Sequence, residues 1–126
     1  MARLLIVDDE QDVREFAANF FRKRNVEVVP VASGEEALER IVSVVPDLIL
    51  LDIKMAGIDG VETLRRLRAS GNLTRVIMVT GRKPEENDTY AECEKLGIRA
   101  YVHKPLELEE LERIVLKELF LDAKKK

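Results

Sequence analysis

The sequence has little cysteine, little histidine and no long apolar run. A single cysteine, Cys93, stands in 126 residues, which excludes an internal disulfide and fits a reducing compartment. The single cysteine and the single histidine, His103, lie apart from the acidic motifs described below, which argues against a site for softer metals. Aliphatic runs such as Leu48–Leu51 are far too short to span a bilayer, and the amino terminus shows no signal-peptide pattern. We therefore expect a cytoplasmic protein.

The composition predicts one globular domain without a strong net electrostatic field. Hydrophobic residues make up 46% of the chain and charged residues 36%, a balance typical of a folded domain with a real core. The net charge of −3 provides no overall attraction for nucleic acid or anionic lipid, so neither is an expected partner. There is no internal repeat and no Ser/Gly linker. We expect a domain over residues 1–121 and a basic tail over 122–126, and we favour a stand-alone protein.

Short aliphatic runs alternate with charged segments of helical spacing along the chain. The runs are Leu4–Val7, Val26–Val31, Leu48–Leu51, Val76–Val79 and Ala100–Val102. Several are almost wholly aliphatic, which is typical of parallel strands buried on both faces by helices. The apolar stripes between or after them are Val13-Phe16-Ala17-Phe20, Ala37-Leu38-Ile41, Val61-Leu64-Leu67 and Leu108-Leu111-Val115-Leu119. The strict alternation of five strands and five helices predicts an α/β protein, a three-layer α/β/α sandwich with right-handed crossovers.

Helix boundaries carry suitable signals. Ser33–Glu36 and Asp59–Glu62 both fit the capping-box pattern at a helix start. Gly71 and Gly97 stand where two helices should end. The fourth helix, expected from Glu85 to Leu96, has few apolar anchors beyond Tyr90, Ala91 and Leu96, so it should be the least firmly held.

Polar residues follow four of the predicted strands. Asp8 and Asp9 follow the first strand, Asp52 the third, Thr80 the fourth and Lys104 the fifth. In open α/β sheets ligands bind at the carboxyl ends of the strands, so these loops should converge on one rim. Each residue alone has an ordinary explanation as a helix cap, a turn residue or a surface lysine. Their joint occurrence after successive strands favours a functional site.

Three neighbouring carboxylates and a lysine suit one particular chemistry. The carboxylates repel one another unless a cation sits among them, and hard oxygen ligands with room for water are typical of Mg²⁺. Beside a divalent ion, an aspartate such as Asp52 can attack phosphorus and form an acyl phosphate. The ion and a lysine such as Lys104 would neutralise the transferring oxygens.

Four ordered motifs make the chain similar to a known family. They are Leu5-Ile6-Val7-Asp8-Asp9-Glu10, Asp52-Ile53-Lys54-Met55 with Asp59-Gly60, Val79-Thr80-Gly81, and Ala100-Tyr101-Val102-His103-Lys104-Pro105. The chain resembles the receiver domain of two-component response regulators over essentially its full length. The resemblance implies the flavodoxin-like (βα)5 fold with strand order 2-1-3-4-5. It also implies a signalling domain that catalyses no reaction beyond its own phosphorylation and dephosphorylation.

The resemblance further implies a role for each motif residue. Asp52 would accept the phosphoryl group from a histidine kinase or histidine phosphotransfer protein. Asp8, Asp9, Asp52 and the backbone carbonyl of Lys54 would hold Mg²⁺. Lys104, preceding a cis peptide to Pro105, would pair with the phosphoryl oxygens.

The same resemblance implies a switch. Thr80 would move its hydroxyl to the phosphoryl group, and Tyr101 would turn inward to fill the vacated space. The surface of the fourth helix, fifth strand and fifth helix would then control a downstream effector. The protein would be a monomer or a weak, phosphorylation-dependent dimer.

The sequence departs from the family pattern near Asp52. Ala56 replaces a common proline, so the following loop is expected to be less rigid. Lys54 and Arg82 place two cations beside the site, where they should crowd out the hydrolytic water and lengthen the life of the acyl phosphate. His103 should point outward from its strand end.

Three other classes of protein share parts of this pattern. A haloacid-dehalogenase phosphatase needs a second acid two residues after its nucleophile, where this chain has Lys54. A flavodoxin-like flavin protein needs a hydroxyl- and glycine-rich phosphate cradle after the first strand, where Asp8 and Asp9 would repel phosphate. A degenerate receiver that binds partners without phosphorylation stays open, although the intact motif residues argue against it.

Overall fold

The fold alternates strands and helices from end to end. The structure is a computed structural model that describes residues 1–81, 89–105 and 107–120. The elements are β1 (Arg3–Val7), α1 (Gln11–Arg22), β2 (Glu27–Val31), α2 (Gly34–Val44), β3 (Leu48–Asp52), α3 (Gly60–Ala69), β4 (Arg75–Thr80), α4 (Thr89–Lys95), β5 (Ala100–His103) and α5 (Leu108–Leu119). The strands form one parallel sheet in the order β2-β1-β3-β4-β5, which confirms the expected topology.

Two apolar layers cover the sheet. Alternate side chains of the central strands point to opposite faces, so Leu48 and Leu50 pack with α1 and α5, whereas Ile49 and Leu51 pack with α2, α3 and α4. Burial on both faces explains why β3 is wholly aliphatic before Asp52. Pro30 lies in β2, an edge strand, where a missing N–H is tolerated.

Four of the predicted helix boundaries are confirmed. The Ser33 side chain accepts a hydrogen bond from the Glu36 amide at 3.0 Å, and Asp59 accepts one from the Glu62 amide at 2.8 Å. Gly71 and Gly97 follow α3 and α4 with φ values of 87° and 83°. A residue in this left-handed region is a common way to end a helix.

Two apolar stripes differ from the prediction. Ala17 is buried as predicted, but Phe16, predicted for the same stripe, is 58% exposed, and Ala18 and Phe21 are buried although the stripe did not include them. The buried stripe is shifted by one residue, because the two small alanines allow α1 to lie close to the sheet. Leu108, predicted for the buried stripe of α5, is 36% exposed.

The predicted anchors of helix α4 are confirmed only in part, because Leu96 packs against the core as expected but the others do not match. Cys93 is the residue of Thr89–Lys95 that is fully buried, whereas Ala91 is exposed and Tyr90 is 50% exposed. The expected start of this helix, residues 85–88, lies outside the described residues. Two arginines of α3 hold α4: Arg65 pairs with Glu92, and Arg68 donates to the carbonyl of Leu96 at 2.7 Å.

None of the helices that the structure describes is long and apolar enough to cross a membrane.

Candidate functional site

The carboxyl edge of the sheet brings the predicted acids together. Asp8 follows β1 and Asp52 ends β3, and one carboxylate oxygen from each of these residues and Asp9 lies within 4.8 Å of the others. Asp8 and Asp52 are 6% and 4% exposed, whereas Asp9 is exposed. Asp8 and Asp52 directly follow Val7 and Leu51, the last pair that β1 and β3 form. Since Ile6 and Leu50 pack with α1 and α5, alternation along the strands directs both acids to the same side.

Lys104 reaches this cluster from the end of β5. Its Nζ lies 3.2 Å from Oδ2 of Asp52 and 3.7 Å from Oδ2 of Asp8. The backbone N–H of Lys104 donates to the Thr80 carbonyl at 2.7 Å, and the peptide bond to Pro105 is cis, as expected. The amine of Lys104 therefore faces Asp8 and Asp52, although the three residues follow or end strands that are distant from one another in the sequence.

The burial of Asp52 and the charges around it favour the binding of a cation. Burial raises the pKa of Asp52; Lys104 opposes this effect, whereas Asp8 and Asp9 add to it. Burial works to lower the pKa of Lys104, but the charges of Asp52 and Asp8 outweigh it and raise that pKa. Among the described residues, Oδ1 of Asp52 is buried without a hydrogen-bond partner. A buried carboxylate oxygen left unpaired among acids is what a bound divalent cation would satisfy.

Asp8 is fixed by contacts that the sequence pattern did not indicate. The Glu10 amide donates to its Oδ1 at 2.9 Å, and Arg14 donates to its backbone carbonyl at 2.8 Å. Arg14 lies on α1 and returns to the end of β1, a contact that no spacing rule in the sequence predicts. It orients the peptide that carries the acid.

The loop between β3 and α3 lies against the acids. The N–H of Ala56 donates to Oδ2 of Asp9 at 3.0 Å, and Lys54 in the same loop is exposed. Gly60 begins α3, and a Cβ there would lie 2.2 Å from the Asp52 carbonyl oxygen. Only glycine therefore permits α3 to start this close to the end of β3.

Thr80 and Tyr101, the two predicted switch residues, lie on the face of the sheet opposite to the acids. Thr80 is fully buried at the end of β4, and Tyr101 on β5 is partly buried with its hydroxyl 3.0 Å from that of Thr89. Tyr101 also contacts the rings of Tyr90 and His103, with centroids 5.1 and 5.5 Å apart. His103 is exposed, as expected. Arg82, predicted to flank the site, lies outside the described residues.

This combination of fold and site defines a class. A parallel sheet of order 2-1-3-4-5 carries three acids and a lysine at its carboxyl edge, and residues 4–116 match the response regulator receiver domain. The chain belongs to this family, so it is a receiver domain of two-component signal transduction, with a phosphodonor and a downstream effector implied as partners.

Relatives of two kinds match the chain. It is 34% identical to sporulation initiation phosphotransferase F of Bacillus subtilis, over 96% of both chains. It is 36% identical to the regulatory protein AtoC of Escherichia coli over 98% of this chain, which spans only 26% of AtoC. The similarity therefore includes both a single-domain protein and the receiver part of a longer regulator.

Solved structures share the fold closely. A CheY-like receiver domain protein from Methanospirillum hungatei is 26% identical and superposes with a TM-score of 0.89, covering 100% of this chain and 99% of the other. The response regulator TrrA of Thermotoga maritima, solved with Mg²⁺ and BeF, is 31% identical with a TM-score of 0.81, covering 94% and 100%.

Proposed function

We propose that Asp52 accepts a phosphoryl group in a Mg²⁺-dependent reaction and that this modification switches the surface formed by α4, β5 and α5. The observation that carries the proposal is the buried carboxylate of Asp52, which has one oxygen beside the Lys104 amine and the other unpaired. The related protein TrrA, solved with Mg²⁺ and BeF, supports the same kind of site.

The residues present would divide the work of phosphoryl transfer. Asp8, Asp9, Asp52 and the carbonyl of Lys54 would hold Mg²⁺, which when bound would neutralise charge on the transferring group. One oxygen of Asp52 attacks phosphorus, the bond from phosphorus to a histidine nitrogen of the donor breaks, and the imidazole leaves with that electron pair. Lys104 pairs with the phosphoryl oxygens, because its amine already faces Asp52.

The proposed switch links Thr80 to Tyr101. The Thr80 hydroxyl would bond to the phosphoryl group, and Tyr101 would then change its rotamer and leave its contact with Thr89. The resulting change in α4, β5 and α5 would alter affinity for a downstream protein. We propose a cytoplasmic signalling domain that is monomeric or forms a weak dimer on phosphorylation, that neither binds nucleic acid directly nor attaches to a membrane, and whose catalysis is limited to its own modification.

An apolar groove beside the site is suited to the phosphodonor. It has a volume of about 620 Å³ and is lined in part by Val13, Phe16, Lys104, Pro105 and Leu108. A protein donor must approach the rim next to Asp52, and this groove offers exposed apolar surface there. Phe16→Ala should slow transfer from a phosphorylated histidine kinase and leave transfer from acetyl phosphate unchanged. An equal effect on both donors would contradict docking in the groove.

The phosphorylation assay tests the function itself. Incubation with Mg²⁺ and acetyl phosphate should add one phosphoryl group per chain, measured by intact mass. Asp52→Ala should lose this labelling, and EDTA should abolish it in the wild type. Full labelling of Asp52→Ala would refute the assignment of Asp52 as the acceptor. Labelling that persists in EDTA would refute the requirement for Mg²⁺.

A further inference from the structure

The loop between β3 and α3 is held by two acids, one in the β1–α1 connection and one on α2. On one side, the Ala56 N–H donates to Oδ2 of Asp9 at 3.0 Å. On the other, the Ile58 N–H donates to Oε2 of Glu35, on the first turn of α2, at 3.2 Å. The loop that carries Lys54 is thus hydrogen-bonded to the acidic cluster on one side and to helix α2 on the other.

The absence of a side chain at Gly57 leaves room for the Glu35 carboxylate. Its φ of 78° lies in the left-handed region, where a side chain is strained. A Cβ on Gly57 would also lie 2.6 Å from Oε2 and 3.0 Å from Oε1 of Glu35. The carboxylate therefore lies where a side chain at position 57 would stand. An acid in the first turn of a helix is favoured by the helix dipole alone, but the dipole does not account for a contact with this loop.

We propose that Glu35 is a positioning residue for the metal site, an inference that rests on the proposed function. Ala56 and Ile58 are two residues apart, so fixing the Ile58 amide restricts the segment that meets Asp9. Ala56 has no ring to fix its φ, so this segment depends on its two carboxylate acceptors for restraint. A loop already in place loses less conformational freedom when a cation binds.

The test is a Mg²⁺ titration followed by NMR amide shifts in the wild type, Glu35→Ala and Glu35→Gln. Glu35→Ala should raise the dissociation constant about 2- to 10-fold, the range expected for one hydrogen bond. Glu35→Gln should bind as the wild type does, because its side-chain oxygen still accepts from the Ile58 N–H. Both variants remove the same charge, so their difference isolates the acceptor.

Two further measurements separate positioning from general destabilisation. Ile41→Val shortens a buried side chain further along α2, away from the turn that carries Glu35, so it should lower stability and leave Mg²⁺ affinity unchanged. Hydrogen exchange of the Ile58 amide in metal-free protein should be faster in Glu35→Ala than in Glu35→Gln.

The proposal is overturned if Glu35→Ala binds Mg²⁺ with the wild-type dissociation constant, or if either Glu35→Gln or Ile41→Val loses as much affinity as Glu35→Ala. A wild type with no Mg²⁺-dependent shifts would instead refute the proposed metal site. The metal-free exchange of the Ile58 amide would still decide whether Glu35 holds the loop, so the two failures are distinguishable.

Discussion

The Lys104 amine lies 3.2 Å from Oδ2 of Asp52, a carboxylate that is 4% exposed and whose other oxygen lacks a hydrogen-bond partner among the described residues. The lysine therefore compensates part of the charge at the end of β3 and leaves the remainder unbalanced. An unpaired buried oxygen is unfavourable for folding and available for chemistry. The predictions below follow from this imbalance and from the way α4 is held.

Asp52→Asn should stabilise the metal-free protein at neutral pH. Because the pKa of Asp52 is raised in the folded state, the folded protein keeps a proton that the unfolded chain has already lost. Stability should therefore fall as pH rises from the ordinary carboxyl pKa through the raised value. The charged carboxylate is thus the less favourable form in the folded state, so replacing it with a neutral amide should raise the free energy of unfolding at pH 7.

Urea unfolding in EDTA from pH 4 to pH 8 measures this effect as the difference between wild type and Asp52→Asn. The difference should be small at the acid end and grow toward neutral pH. Glu39→Gln is the matched control, since Glu39 is an exposed residue of α2 and its carboxylate lies outside the acidic cluster. A difference that is constant over this range would contradict the raised pKa.

The single cysteine should report the opening of α4. Cys93 is fully buried, and burial raises the pKa of its thiol to about 11, so labelling by a thiol reagent should be slow in the folded protein. Arg65→Ala removes the pair with Glu92 that links α3 to α4. Exposed ion pairs contribute little to stability, so labelling should accelerate only modestly, by a factor of about 1.5 to 5.

Arg66→Ala provides the control for this measurement. Arg66 lies on the same helix and pairs with Glu62 rather than with α4. It should leave the labelling rate of Cys93 unchanged. Equal acceleration in both arginine variants would mean that α3, rather than its pair with α4, governs access to the thiol.

The switch should extend from Asp52 to β5. Adding beryllofluoride, a mimic of the phosphoryl group, should shift NMR signals of Tyr101 and α4 as well as those near Asp52. Thr80→Ala should keep the local shifts and lose the distant ones, because it lacks the hydroxyl that would follow the phosphoryl group. Shifts confined to the neighbours of Asp52, or an unchanged response in Thr80→Ala, would refute this coupling.

The acyl phosphate should be long-lived. Lys54 lies two residues after Asp52 and is exposed, and Arg82 lies two residues after Thr80 in the sequence. Lysine and arginine side chains are hydrogen-bond donors without an acceptor atom, so neither is suited to orient the hydrolytic water as a base, and both are expected to crowd its approach. Lys54→Asn with Arg82→Glu should speed dephosphorylation by about twofold or more, since exposed charge pairing alone is worth about 0.2–1 kcal/mol and steric exclusion adds to it.

Decay of the phosphorylated protein after removal of the donor measures this lifetime. Lys95→Asn, an exposed lysine at the far end of α4, is a suitable control. A double variant that keeps its phosphoryl group as long as the wild type would show that these two residues do not set the lifetime.

The sequence alone determined the elements and the composition of the site. Aliphatic runs such as Leu48–Leu51 predict buried strands because period-two side chains must be apolar on both faces when helices cover both. Since parallel strands end at one edge, the residues after them, Asp8, Asp52 and Lys104, could be expected to meet. Local caps such as Ser33 were predictable because a cap bonds to an amide only three residues away.

Tertiary structure decided which face of each helix is buried and what holds the loops. The stripe containing Phe16 was a valid helical pattern, but the alanines beside it fit closer to the sheet, and a sequence pattern does not reveal that difference in approach. Contacts such as Glu35 with Ile58 join segments that are remote in sequence. Their formation depends on the packing of one helix against another, which fixes distances to within an ångström, whereas periodicity fixes only a direction.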